Sequence, residues 1–320
     1  MRMAIIGCTG HIGYALETLR ACSGLELTAL APGSPAEEMS GLVGQTKAMG
    51  FAPRVHEDWR TLLDSERADV AVVAPWFCDS AEISMECLKR GVSVYSEKPL
   101  ATTHESLFRL EETWKASGCG LDGMFGLRYC PWFLAVRKAV QDGEIGQVRQ
   151  IHGQKSYRMG QRGPLYHEQR LYGGILPWVG IHAMDWAIQL GGECRRVYAL
   201  HSRQENRGHG EMEVSSAALM ELENGVIATV TADFLRPDGS ARHDDDRLRV
   251  TGTRGMIEAA DGRVFLENEE AKRELTLPDA PAPMADFLSS LGTQRRITLA
   301  RAALHVTKTA LDARESANRA

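Results

Sequence analysis

Apolar positions in the first third of the chain follow two alternating rhythms. Met3–Ile6 is an unbroken apolar run, the length of a strand buried on both faces. Beyond it, Ile12, Ala15, Leu16 and Leu19 recur at the i, i+3, i+4, i+7 spacing of one helical face. Leu25–Leu30, Asp69–Ala74 and Val92–Ser96 repeat the strand signal, with a helix across Ala81–Arg90 between the last two. Thr102-Thr103-His104-Glu105 offers a capping box, and Leu107, Leu110 and Trp114 give the following helix its buried stripe. Strands alternating with helices predict an α/β domain over residues 1–121, built on a doubly wound parallel sheet.

The rhythm changes after about residue 120. Pro131 opens a short helix that Gly143 closes, with Phe133, Val136 and Val140 facing inward. Strand-like segments then follow with few helices between them: Val148–Tyr157, Val197–Ser202, Val214–Leu222 and Val226–Phe234. Asn224-Gly225 is a tight-hairpin signal, and Asp261-Gly262 marks a second hairpin near Met256–Phe265. Leu299, Ala303, Val306 and Ala310 predict a final helix. Residues 122–320 therefore read as an α+β domain with a large, mostly antiparallel open sheet.

Composition narrows the function classes. The charge of −5 comes with scattered Lys and Arg rather than a basic patch, which argues against nucleic acid as a partner. No apolar run reaches the roughly 20 residues of a membrane span, and Met3–Ile6 is too short for a signal-peptide core. The seven cysteines are odd in number and lack paired or metal-ligand spacing, so neither a disulfide framework nor a metal site is expected. A reducing cytoplasm is the expected location. His243-Asp244-Asp245-Asp246 reads as a hairpin turn before the strand Arg247–Thr251 rather than a metal site.

The candidate chemistry starts at Gly7-Cys8-Thr9-Gly10-His11-Ile12-Gly13, between the first strand and helix. Glycines let a backbone approach a pyrophosphate without a Cβ, and the helix N-terminus supplies N–H groups and a favourable dipole. The loop, in this strand–turn–helix setting, points to a dinucleotide. The second strand ends in Ala31-Pro32-Gly33-Ser34, with neither the acid that grips a ribose diol nor an arginine for a 2′-phosphate. NAD and NADP stay equally open.

Four further segments, in order, resemble the Gfo/Idh/MocA family of NAD(P)-dependent oxidoreductases along almost the whole chain. They are Ser96-Glu97-Lys98-Pro99-Leu100, Arg128-Tyr129-Cys130-Pro131, the stretch from Gly173-Gly174 through Gly180-Ile181-His182-Ala183-Met184-Asp185, and Arg247 to Gly255. The resemblance implies a Rossmann domain plus a substrate domain whose open sheet makes a homodimer or homotetramer contact. It implies a small-molecule substrate between the domains, typically a sugar, cyclitol or related hydroxy compound. Cofactor contacts are implied at Gly7, Thr9, Gly10, His11, Ile12, Ser34, Pro75, Glu97 and Lys98.

Lys98 matches the family's lysine that reaches the reacting oxygen, and His182 its catalytic histidine. A cation there stabilises an alkoxide-like oxygen as hydride leaves, and an imidazole accepts the hydroxyl proton. The bland alternatives are a surface lysine and a core histidine. Asp185 is placed either to orient the imidazole or to brace its helix. Candidate substrate contacts are Arg128, Arg158, Tyr166, Trp178 and Asp185. Arg158, Arg162, Tyr166, His167, Arg170 and Tyr172 form either a grip for hydroxyls or a carboxylate, or a solvated loop. Two positions depart from the family pattern: Trp178 stands where an aspartate is common, and Asp79 where a histidine is. Besides a dehydrogenase, this leaves open a same-fold enzyme using the nucleotide for internal redox, and a non-catalytic NAD(P) sensor.

Overall fold

The apolar strands of the first third pair side by side in parallel. In the computed structural model, which describes residues 1–35 and 37–320, the chain forms two compact units. The first comprises Met1–Gly126 and Ala282–Thr307, the second Leu127–Pro281 and Lys308–Ala320. In the first unit, β1 (Arg2–Ile6), β2 (Glu26–Ala31), β3 (Arg54–Val55), β4 (Val70–Val73), β5 (Ser93–Ser96) and β6 (Leu121–Gly123) make one sheet. Its order is β3-β2-β1-β4-β5-β6, every pair parallel. The order reverses between β1 and β4, where doubly wound sheets open a ligand crevice.

Helices α1 (Gly13–Ala21), α2 (Ser40–Ala48), α3 (Trp59–Ser65), α4 (Ser80–Lys89) and α5 (His104–Ser117) connect these strands. Met3, Ile5, Val70 and Val72 are fully buried, as both faces of a helix-covered parallel sheet demand. The sequence reading put everything beyond residue 121 in the second domain. Met284 and Phe287 instead join the core around Met3 and Ile5, and Phe287 stacks on Tyr95 with ring centroids 5.5 Å apart. At α5 the cap is Thr103, whose hydroxyl accepts from Ser106 N at 3.2 Å. The cap therefore lies one residue beyond the expected Thr102–Glu105 box, and Thr102 is buried.

The second unit carries α6 (Pro131–Gln141), β7 (Val148–Arg158), α7 (Gln169–Tyr172) and α8 (Ile181–Gly191). There follow β8 (Cys194–Ser202), β9 (Ser215–Leu222), β10 (Ile227–Arg236), β11 (Asp244–Gly252), β12 (Gly255–Ala260), β13 (Arg263–Asn268) and β14 (Lys272–Glu274). These eight strands run β14-β13-β12-β11-β7-β10-β9-β8, antiparallel except for the parallel β7–β10 pair. Alternation along β9 and β10 buries one face, with Ala218, Met220, Ala228 and Val230, and exposes Leu219 and Ile227 on the other. The chain closes with α9 (Ala285–Ser290) and α10 (Arg295–Arg319). The acidic run is not a turn: Asp244 already begins β11, and the turn lies upstream, where Ser240 N bonds Pro237 O at 3.0 Å. Register with β7 puts Asp246 opposite Lys155, and the two form a buried ion pair.

Candidate active site

The C-terminal ends of β1, β2, β4 and β5 bring together the residues expected at the cofactor loop. Gly7 has φ +86°, and a Cβ there would sit 2.3 Å from Ala74 O. Gly10 has φ +69°, and a Cβ would meet Glu97 Oε2 at 2.5 Å. Backbone and packing both require glycine at these two positions. Gly13 is different: nothing lies within 4 Å of its would-be Cβ. Pro75 packs at the same corner, its nitrogen 2.4 Å from the Gly7 Cβ position. Helix α1 has Ile12 at its N-cap, with no side-chain cap and no acid in its first turn. The α1 dipole adds positive potential beside this glycine-walled turn, so the residues present fit a dinucleotide pyrophosphate.

The Glu97 carboxylate ties β5 to this loop. One oxygen accepts from His11 N at 2.6 Å and the other lies 2.9 Å from His11 Nδ1. Burial raises its proton affinity, but the His11 imidazole, its hydrogen bonds and the adjacent Lys98 outweigh that and hold the carboxyl below its ordinary range. Lys98 follows directly and is also buried, at 1% exposure, with a cis bond to Pro99. The bland reading of Lys98 as a surface side chain is thereby excluded.

Sequence reasoning missed Glu37. Its carboxylate reaches back across the strand ends: Oε1 accepts from Cys8 N at 3.2 Å and Thr9 Oγ1 at 2.9 Å, and Oε2 from Gly33 N at 2.8 Å and Ser34 N at 2.9 Å. Burial, with the Glu37 and Glu38 charges, pushes the Cys8 thiol up to about 11. The Ser34 hydroxyl is engaged too, donating to Asp79 Oδ2 at 2.5 Å and accepting from Trp76 N at 2.9 Å. Asp79, flagged as a departure, thus anchors the end of β2. Beside Glu37 opens a cleft of about 400 Å³ rimmed also by Glu57, Asp58, Asp79 and Glu82. Its lone cation, Arg60, is paired with Glu82 at 2.8 Å. The setting is acidic.

In the second unit, His182 is 2% exposed on α8. Asp185 is equally buried, and both its oxygens are held by Arg128: Nε to Oδ2 at 2.8 Å, Nη2 to Oδ1 at 2.7 Å. This pairing braces Asp185 against Arg128. Trp178 lies on a π-helical turn, Leu176–Gly180, that runs into α8 and that composition did not disclose. Its ring is 4.5 Å from Tyr166 and 5.7 Å from Phe234. Arg162 lies over all three rings, so part of this segment is an aromatic cluster with a cation on it, while Arg170 is exposed and paired with Glu168. Arg158 donates to Asp238 O at 3.3 Å. Lys155 and Tyr157 had no sequence signal, and His243, read only as part of a turn, stacks with them: Tyr157 and His243 rings are 4.9 Å apart and Lys155 Nζ is 4.8 Å from the Tyr157 ring.

These features define a class, a dinucleotide-dependent oxidoreductase built on a Rossmann sheet, and comparison with known proteins makes it specific. The NAD-binding Rossmann fold of an oxidoreductase family matches residues 1–122, and the Gfo/Idh/MocA C-terminal domain matches residues 133–258. The chain belongs to the Gfo/Idh/MocA oxidoreductases. A solved protein from Thermotoga maritima is 38% identical with a TM-score of 0.92, over 99% of this chain and 98% of that one. D-apiose dehydrogenase from Paraburkholderia graminis is 27% identical over 291 residues, 88% of this chain and 73% of its own length. Inositol 2-dehydrogenase 2 from Saccharopolyspora erythraea is 28% identical over 233 residues, which is 72% of this chain and 66% of that protein. Among the described residues no helix is long and apolar enough to cross a membrane.

Proposed function

We propose that the protein is an NAD-dependent dehydrogenase or reductase of a polyhydroxylated small molecule. The observation that carries it is the corner at which Glu97 is bonded to the cofactor loop and Lys98, the next residue, is buried beside it. A buried lysine is costly unless its charge is used, and here it follows the residue that sets the loop. Bound NAD supplies the hydride acceptor. Lys98 stabilises the substrate oxygen as its carbon gives up hydride and becomes a carbonyl. His182 takes the hydroxyl proton, and returns it in the reductive direction. Glu37 selects NAD over NADP by holding a negative charge on the Gly33 and Ser34 N–H groups that a 2′-phosphate would use. The dehydrogenase names of the curated relatives support a sugar or cyclitol class of substrate.

Titration with NADH, followed by a substrate screen on the wild type and Lys98→Ala, tests the reading. Turnover falls by about a hundredfold or more in the variant while NADH affinity changes little. Unchanged turnover refutes the role of Lys98, and failure of the wild type to bind NADH refutes the whole reading. Trp178 favours one alternative, internal redox without net cofactor turnover. Product formation with no change in nicotinamide absorbance identifies it. The exposed apolar residues Tyr198, Leu200, Leu219 and Ile227, with Tyr198 directly opposite Leu219, support association of copies through the open sheet.

A further inference from the structure

The segment between β7 and α7 holds a guanidinium against aromatic rings with no acid to answer it. Arg162 Cζ lies 4.8 Å from the ring centroid of Phe234, 5.2 Å from Trp178 and 5.7 Å from Tyr166. Nη2 donates to Arg158 O at 3.2 Å, while Nε is buried without a hydrogen-bond partner. Burial lowers its proton affinity, opposed only by Tyr166 and Tyr157, and among the described residues no carboxylate pairs with it. Neighbouring acids are taken: Asp246 by Lys155, Asp245 by Arg236 and Arg247, Asp238 by Arg207. The field is positive at His243 as well, where burial, Arg162 and Arg158 hold the imidazole below its usual range against the opposing Asp244. Arg162 is half-buried, so part of its charge is left for solvent or a ligand to answer.

We propose that Arg162 receives a carboxylate of the substrate, which makes that substrate a sugar acid, a polyhydroxylated monocarboxylate, rather than a neutral sugar or cyclitol. A guanidinium offers a carboxylate charge-assisted N–H···O bonds, and the orphaned Nε marks a guanidinium that the protein's own acceptors do not satisfy. Trp178 and Tyr166 add apolar faces for the C–H side of a sugar ring without adding charge. A cleft of about 410 Å³ reaches the same strand end, lined by Arg158, Arg207 and His243 with Asp238 as its one acid. The inference rests on the hydride-transfer reading for what becomes of the ligand, but not for its binding.

The test is a panel of aldonates and uronates, each paired with its neutral counterpart, titrated calorimetrically into the wild type with NADH present and absent. At least one acid binds about tenfold to a hundredfold more tightly than its neutral partner. Arg162→Gln removes that difference with NADH affinity intact, and Arg162→Lys, which keeps the charge but not the guanidinium, restores part of it. If Arg162→Gln does not fold, the wild-type panel and Arg162→Lys decide. The proposal is overturned if no acid outbinds its neutral partner, if Arg162→Gln leaves the preference in place, or if a neutral sugar is the better substrate. An acid that binds through Arg162 and is never oxidised instead overturns the hydride-transfer reading and leaves this one standing.

Discussion

Replacing Glu37 by glutamine removes one negative charge and preserves shape at the place where the two nicotinamide cofactors differ. Wild-type Glu37 Oε2 sits 2.8 and 2.9 Å from the Gly33 and Ser34 amide nitrogens, so a 2′-phosphate seeking those donors meets the carboxylate at contact distance. Two unit charges about 4 Å apart repel by about 1 kcal/mol in bulk water and about 4 kcal/mol at an effective dielectric of 20. Glu37 is half-buried, which places it between these limits. Since 1.36 kcal/mol is tenfold, the ratio of NADPH to NADH dissociation constants falls between about fivefold and several hundredfold in Glu37→Gln. The assay is fluorescence titration of both cofactors at low and high salt, with the melting temperature as a control for the loop. Salt shrinks the wild-type preference and leaves that of the variant nearly unchanged. A wild type that binds NADPH as tightly as NADH, or a ratio unmoved by the substitution, refutes the reasoning.

Gly10→Ala places a methyl 2.5 Å from Glu97 Oε2 at a φ of +69°, so it costs at least about 1–2 kcal/mol and loosens NADH binding together with the melting temperature. Gly13→Ala, with nothing within 4 Å, leaves the melting temperature of the cofactor-free protein unchanged. Arg128→Ala strands the buried Asp185 carboxylate and destabilises by about 3–5 kcal/mol in denaturant unfolding, a loss that Asp185→Asn in the same chain partly relieves. If the two substitutions simply add, the pair is not the bracing unit described. Leu219→Glu with Tyr198→Glu converts the exposed sheet face to charge, and light scattering then reports a smaller species than the wild type. Equal masses remove this face as the association surface.

What the sequence disclosed is what backbone geometry dictates. The glycine loop was legible because left-handed turns and a Cβ-free approach leave few residue choices at Gly7 and Gly10. The parallel strands were legible because Met3–Ile6 and Val70–Val73 are apolar on both faces. Contacts across the chain were not. Lys155 and Asp246 are 91 residues apart and meet only through the β7–β11 register. Glu37 escaped notice because the search for an acid stopped at the strand end, whereas the carboxylate returns from further along the loop. The only available signal was the Glu37-Glu38 pair itself. The π turn at Trp178 has the composition of an ordinary helix, so its altered winding left no trace in periodicity. For Asp185 the spacing left two roles open, and its partner Arg128, 57 residues away, had no signature in the sequence.

On the proposed function, Glu97 has one consequence for how the two ligands bind together. Its carboxylate grips the amide and ring of His11 on the loop, and the next residue is the lysine assigned to the substrate oxygen. A cofactor that fixes His11 steadies the peptide carrying Lys98, and a ligand on Lys98 steadies the loop in turn. Thermodynamic reciprocity makes the two effects the same factor, so each ligand tightens the other equally. On the proposed reading, the two binding events become one coupled equilibrium, with a single buried carboxylate as its fulcrum.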